Sequence, residues 1–273
     1  MTEVGIRRLP TLLHVFTSYT FDGEVRVETS LTESARFGFS VGRLLVPLSS
    51  GLADCELAEL CESSGCDLVI VRASTARTGL AESLRVLGSR QVIHADKLEY
   101  FSWDLLRLDF RDSKFGKIGV TRTTDFSDIQ DLVLESFSGY VNHYSANPRL
   151  SQNATLDGYL DWARNLMETA TSRTFVTTEP NRGAATGFVL AGIAVAEQTA
   201  EIFLNAVASK FRRQGIYRDC MIGAALTMKE LDQIKQIVIS TQSSNTAVLS
   251  AWRDMGLEPW FSVNTFHVMS REV

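Results

Sequence analysis

Cysteine, histidine and proline are scarce in this chain, and each shortage excludes something. The four cysteines, Cys55, Cys61, Cys66 and Cys220, form no Cys-x-x-Cys pair and have no histidine close by. Neither a disulfide framework nor a zinc site is expected from them, and no metal is expected elsewhere. With five prolines, 22% charged and 45% hydrophobic residues, the sequence lacks the profile of a disordered or fibrous chain and suits a globular one. Also missing are an apolar run of the ~18 residues a membrane span requires and a leading apolar stretch like a signal peptide, so the expectation is a cytoplasmic protein with no membrane partner. Positive charge is in deficit too. A net charge of -5 argues against a nucleic-acid surface, although Lys210, Arg212, Arg213 and Arg218 make a local cluster suited to a phosphate-bearing small molecule.

What is present reads as α/β. The 273 residues suit two domains of about 100–150 residues each. In the first, runs at 13–19, 39–47 and 67–72 read as strands, 53–63 and 80–87 as helices, and 91–101 as a long extended segment. A polar, turn-rich break at 111–117 sets the expected boundary: a smaller α/β domain over 1–112 that contributes to an acceptor site, then a domain over 113–273. The second half predicts a strand at 118–121 and a helix capped by Asp125 or Ser127, with Ile129, Leu132, Val133 and Phe137 on one face. A loop holding Asn142, His143, Tyr144 and Pro148 leads to a helix at 155–170. Next come a hairpin over 173–178 and 184–195, a strand at 201–208, a helix at 215–231, a strand at 235–241, a helix at 245–255 stopped by Gly256, and final strands at 260–268.

The chemistry centres on residues 204–217, which read as strand, short basic loop, helix. Such a corner aims several backbone N–H groups at one point, and the helix N-terminus adds partial positive charge. A phosphate fits there. Gly215 has no Cβ to hold the backbone away from a pyrophosphate, and Arg212, Arg213 and Arg218 can balance its charge. On its own, this stretch reads more readily as a solvated turn before an ordinary helix, and a second segment downstream reverses that preference.

Arg212, Gly215 and Tyr217 stand at the three places of a Gln/Arg-x-x-Gly-x-Gly/Ala pattern, and this resembles the signature of the GNAT acetyltransferase superfamily. Downstream, Asn245-Thr246-Ala247-Val248, Trp252 and Gly256 resemble the Asn-x-x-Ala-x-x-x-Tyr-x-x-x-Gly run on that superfamily's penultimate helix. The resemblance implies a mixed sheet whose two central strands splay apart, with the pantetheine arm of acyl-CoA in the opening. It implies that the main chain at Ala206, Val207 and Ala208 bonds pantetheine amides. The amides of Arg213, Gln214, Gly215, Ile216, Tyr217 and Arg218 would cradle the pyrophosphate, and Asn245 would help at the thioester end. Two departures stand out. Tyr217 replaces a small residue, and Trp252 occupies the place of a tyrosine that protonates the leaving thiolate, a task an indole cannot perform.

A wider and weaker resemblance covers most of the chain. The run around Phe37-Gly38-Phe39, the loop from His143 to Pro148 with Tyr159 and Trp162 beyond it, and the closing Phe266-His267 are similar to dTDP-fucosamine N-acetyltransferase-like enzymes. It implies a dTDP-linked amino-dideoxysugar as acceptor, acylated at a 3- or 4-amino group. The donor would be acetyl-CoA or a larger acyl-CoA such as 3-hydroxybutyryl-CoA, with room left by Gly187, Ala191, Gly192 and Ala194, and the setting polysaccharide biosynthesis. His143 is the candidate general base, since imidazole titrates near neutral pH, and Tyr144 would orient it or the sugar. Asn205 shares a strand face with Val207 and could bond the acceptor. Tyr159 and Trp162, three apart on a helix, could stack on a thymine or sugar ring, with His267 and Phe37 lining the same acceptor side. A homodimer stays open. The alternatives carried forward are a protein or peptide N-acyltransferase and a non-catalytic CoA-binding module.

Overall fold

The computed structural model describes residues 25–86, 88–107, 119–178 and 183–270. The expected strand at 13–19, the break at 111–117 and the tip of the hairpin turn at 180–182 lie outside them. In chain order the elements are β1 (Glu28–Thr29), α1 (Leu31–Phe37), β2 (Val41–Leu45), α2 (Asp54–Ser63), β3 (Leu68–Ser74), α3 (Leu80–Val86), β4 (Arg90–Asp104), β5 (Val120–Thr123), α4 (Ser127–Phe137), α5 (Gln152–Met167), β6 (Ser172–Thr178), β7 (Ala185–Ala194), β8 (Thr199–Val207), α6 (Ile216–Leu231), β9 (Gln236–Gln242), α7 (Thr246–Asp254) and β10 (Glu258–Ser270). Short 3-10 turns sit at His143–Ala146 and Ser209–Phe211. One helix goes unannounced in the sequence reading. Short α1 is held at its ends, where Ser30 accepts from the Glu33 amide and Gly38 closes the helix at φ 79°.

The chain forms two compact units, and each is assembled from separate stretches. One comprises Asp22–Phe101, Phe137–Trp162 and Ser240–Val273; the other includes Ser102–Ser136 and Ala163–Ile239. This division interleaves the chain, where the sequence reading expects a single cut at 112.

In the first unit the strand order is β1-β2-β3-β10-β4, with β2 parallel to β3 and β3 antiparallel to β10. The central strand β3 reads Leu-Val-Ile-Val-Arg-Ala-Ser, a near-continuous apolar run, because both its faces are covered. On one face Val69, Val71, Ala73, Phe266 and Val268 pack with Leu57, Cys61, Leu80 and Leu84 of α2 and α3. On the other, Val41, Leu68, Ile70 and Met269 pack with Leu150, Phe37, Phe39 and Tyr144. Arg43, Arg72, Thr265 and His267 share this second face by strand alternation and register.

In the second unit the order is β9-β8-β7-β6-β5. The ladders β5/β6, β6/β7 and β7/β8 are antiparallel, and β8/β9 is parallel. Helix α6 packs on β5 to β8 through Ile216, Cys220, Met221, Ala224, Ala225 and Met228, a stripe of helical period. Its approach to β5 is close enough that a Cβ on Gly223 would lie 2.3 Å from Val120 Cγ2. The small residues of β7 are packing positions as well. Gly192 faces the Phe203 ring, and Gly187 is held between Thr177, Ala206 and Val207.

Candidate functional site

The second unit builds an opened strand edge beside the basic loop. The β7/β8 register runs Leu190↔Leu204 and then Ala191↔Ile202, so Phe203 is one residue extra, a β-bulge. The β8/β9 ladder ends at the same point, Ile202↔Ile239, while β8 continues to Val207. A bulge bends and twists its strand, and here it accompanies the loss of parallel pairing along residues 203–207. Asn205 and Ala206 are half-buried on this stretch.

Immediately afterwards the chain turns through the basic loop. Arg213 sits at φ 61° and Gly215 at φ 84°, left-handed positions that side chains other than glycine, asparagine and aspartate rarely take. The amides of Arg213, Gln214, Gly215 and Ile216 find no backbone or side-chain acceptor among the described residues. A Cβ added at Gly215 would meet open space. Four amides, two left-handed turns and a helix start thus form a concave donor set of the kind that holds an anion. Tyr217 and Arg218 supply the next amides of the same first turn.

The loop braces itself. Gln214 Nε2 donates to the Lys210 carbonyl (3.0 Å), and the Lys210 ammonium lies over the Phe211 ring. Glu135 accepts from the Ser209 amide (2.6 Å), and this bond, helped by Arg212 and Lys210, holds its carboxyl below the ordinary value. Arg212 turns back, its Nε donating to the Val207 carbonyl (3.3 Å). The Ala208 amide donates to Thr186 (2.9 Å) and its carbonyl accepts from Phe211 (2.9 Å). The Ala208 amide is therefore committed, and the Ala208 and Val207 carbonyls each already accept one bond.

The first unit gathers most of the residues expected on the acceptor side, and there the geometry revises their roles. His143 and His267 are 5% and 0% exposed, with His143 Nδ1 3.0 Å from His267 Nε2. The Arg149 amide donates to Asn147 Oδ1 (3.1 Å), which turns Asn147 Nδ2 toward His267 Nδ1 (3.1 Å). The hydrogen-bond network so assigns the His267 proton to Nε2, donated to His143 Nδ1, and the His143 proton to its own Nε2. Burial pushes both imidazoles down, His143 far below its ordinary value with help from Arg72 and His267, and His267 to about 4. A base needs a free lone pair and a pKa near the working pH. His143 has neither, so the expected base is a neutral, buried hydrogen-bond partner.

Tyr144 is committed elsewhere too. Its hydroxyl donates to Glu33 Oε1 (2.5 Å) and accepts from Arg43 Nη2 (3.1 Å), while Arg43 grips Glu33 through Nε (2.5 Å) and Nη2 (2.7 Å). Burial alone would raise the Glu33 pKa. The Arg43 charge and the hydrogen bonds from Arg43, Tyr144 and Ser30 outweigh it, holding that carboxyl at about 2. Phe37 packs against Phe39 and Tyr144. Tyr159 stacks on Phe137 at 4.4 Å and accepts from Asn142 Nδ2 (3.1 Å), so Phe137 covers one of the ring faces expected to take a base, while Trp162 stays half-buried beside it. Trp252 is 1% exposed, edge-on to Phe101, which makes it a core residue and withdraws it from the cofactor set. Asn245 donates through Nδ2 to Thr241 Oγ1 (3.1 Å).

Beside this cluster opens a cleft of about 470 Å³, lined by His94, Asp96, Lys97, Asn142, Ser145 and Gln242 among others. Asp96 Oδ2 accepts from Gln242 Nε2 (3.4 Å), and Oδ1 is buried with no hydrogen-bond partner among the described residues. Tyr140 donates to Gln242 Oε1. Burial raises the Tyr140 phenol above its ordinary pKa, against opposing hydrogen bonds from Thr241 and Asn245. Asp96 and Tyr140 escaped the sequence reading because a lone acid in an alternating strand and a lone tyrosine after a helix carry no local signal. No group of three or more potential metal ligands exists among the described residues, and no described helix is long and apolar enough to cross a membrane.

No protein-family model and no curated protein matches the sequence. Solved structures do match the fold. A tandem GNAT protein from the clavulanic acid biosynthesis pathway superposes with a TM-score of 0.53 at 11% identity, over 84% of this chain and 75% of that one. A GCN5-related N-acetyltransferase from Kribbella flavida gives 0.53 at 13% identity, over 84% and 81%. A GNAT-family acetyltransferase from Colwellia psychrerythraea gives 0.51 at 16% identity, over 97% and 91%. The chain thus has the mixed α/β fold seen in GNAT-family acetyltransferases.

Proposed function

We propose that this chain transfers an acyl group from acyl-CoA to the amino group of a small acceptor. The observation that carries the reading is the coincidence, at one place in β8, of the Phe203 bulge, the end of the β8/β9 ladder and the open amides of residues 213–216 just beyond. An unpaired strand edge offers amide and carbonyl groups to the amides of a pantetheine arm. The following helix start offers donors to a diphosphate. Acyl-CoA is a ligand that presents both.

In the reaction, the acceptor nitrogen attacks the thioester carbonyl, the new C–N bond forms, the C–S bond breaks, and the nitrogen loses a proton. With His143 committed to His267, the proton of the acceptor nitrogen is assigned to water. The place of a thiolate-protonating phenol on α7 is held by Trp252, which has no acidic proton. A thiolate with an ordinary pKa near ~8.5 asks for little such help.

For the acceptor we propose a dTDP-linked amino-dideoxysugar and for the donor acetyl-CoA. Incubating the full chain with acetyl-CoA or 3-hydroxybutyryl-CoA and a panel of dTDP-3-amino and dTDP-4-amino sugars, while following free thiol, tests this. Acetyl turnover with one sugar class is the expected result. CoA binding without turnover on sugars or peptides would favour the binding module, and no CoA binding at all would overturn the reading.

A further inference from the structure

We propose that Arg72 and Thr265 form an oxyanion-binding subsite in the first unit, taking a carboxylate or phosphate group of a ligand. The two are register partners across β3 and β10, so their side chains share one face of the sheet. Both present buried polar atoms that lack a hydrogen-bond partner among the described residues: Arg72 Nε and Thr265 Oγ1. Thr265 is 0% exposed.

Two orphaned donors side by side are rare in a folded interior, where buried polar atoms are nearly always matched. The surroundings do not supply the match. Arg72 lies near enough to act on His143, Tyr144, Tyr159 and His267, all uncharged groups. The nearby carboxylate, Glu33, is already gripped by both arms of Arg43 and by Tyr144. Counting charges over this cluster leaves Glu33 balanced by Arg43 and Arg72 with no counterion. A guanidinium fork together with a hydroxyl is a donor set for a planar or tetrahedral oxyanion. The turn carrying His143 and Tyr144, on which Arg72 acts, also carries Asn142 and Ser145, which line the cleft.

The inference stands apart from acyl transfer and is tested by binding alone. The Gly215→Asp chain, whose helix-start site is blocked, is melted in an oxyanion-free buffer and then with inorganic phosphate or with acetate. A saturable rise in Tm is expected with at least one probe; acetate alone marks a carboxylate site, and phosphate a phosphate site. Adding Arg72→Met should abolish the rise while leaving the starting Tm equal or higher, because an unpaired buried charge has been removed. Adding Thr265→Val, which keeps the shape, should weaken probe binding by about three- to tenfold. No rise in the Gly215→Asp chain, or a rise unchanged by Thr265→Val and Arg72→Met, would overturn the subsite. Should Arg72→Met fail to fold, Arg72 is structural and the Thr265→Val titration decides.

Discussion

Replacing Gly215 by aspartate tests the phosphate corner most directly. At φ 84° any L-residue is strained, by roughly 1–2 kcal/mol, and aspartate tolerates the left-handed region better than most. Nothing lies within 4 Å of the added Cβ, so no clash adds to that strain and the unit should stay folded. A bound diphosphate would meet the new carboxylate at about 5 Å, and with an effective dielectric near 20 the repulsion is about 3 kcal/mol per charge pair. That corresponds to roughly a hundredfold loss of CoA affinity. Gly215→Ala carries at least that strain without the charge and should lose only a few-fold. Calorimetric titration of CoA into wild type, Ala and Asp chains, with melting curves in parallel, separates strain from repulsion, and raising the salt should narrow the Asp gap. An Asp variant binding CoA within threefold of the Ala variant would refute the placement of the diphosphate.

Other outcomes follow from the buried clusters. Glu33 has its pKa lowered from 4.5 to about 2, so the stability it confers is complete above pH 4.5 and disappears as pH falls toward 2. The amount is about 3 kcal/mol, and Glu33→Gln should erase this acid limb in denaturant titrations taken at several pH values. His267 is held neutral, with its pKa lowered from 6.5 to about 4. Its unfolded form therefore binds the proton first, and stability should fall from pH 6.5 toward 4, a slope that His267→Gln flattens.

The chain by itself determined what depends on neighbours in sequence. The strand, basic loop and helix over 204–217 are legible because a glycine at a left-handed position, clustered arginines and a periodic apolar stripe act within a few residues of one another. The helices α4, α6 and α7 and the run of β3 announce themselves likewise. Tertiary structure alone decided the rest. The Phe203 bulge and the end of the β8/β9 ladder are relations between strands, and no single segment records them. His143 and His267 stand 124 residues apart, and their meeting in a dry interior is what strips the expected base of its lone pair. Arg72 is unremarkable in sequence and becomes a candidate ligand site only when β10 sets Thr265 opposite it. Burial changes protonation, hydrogen-bond capacity and charge balance, and burial belongs to the packed chain as a whole.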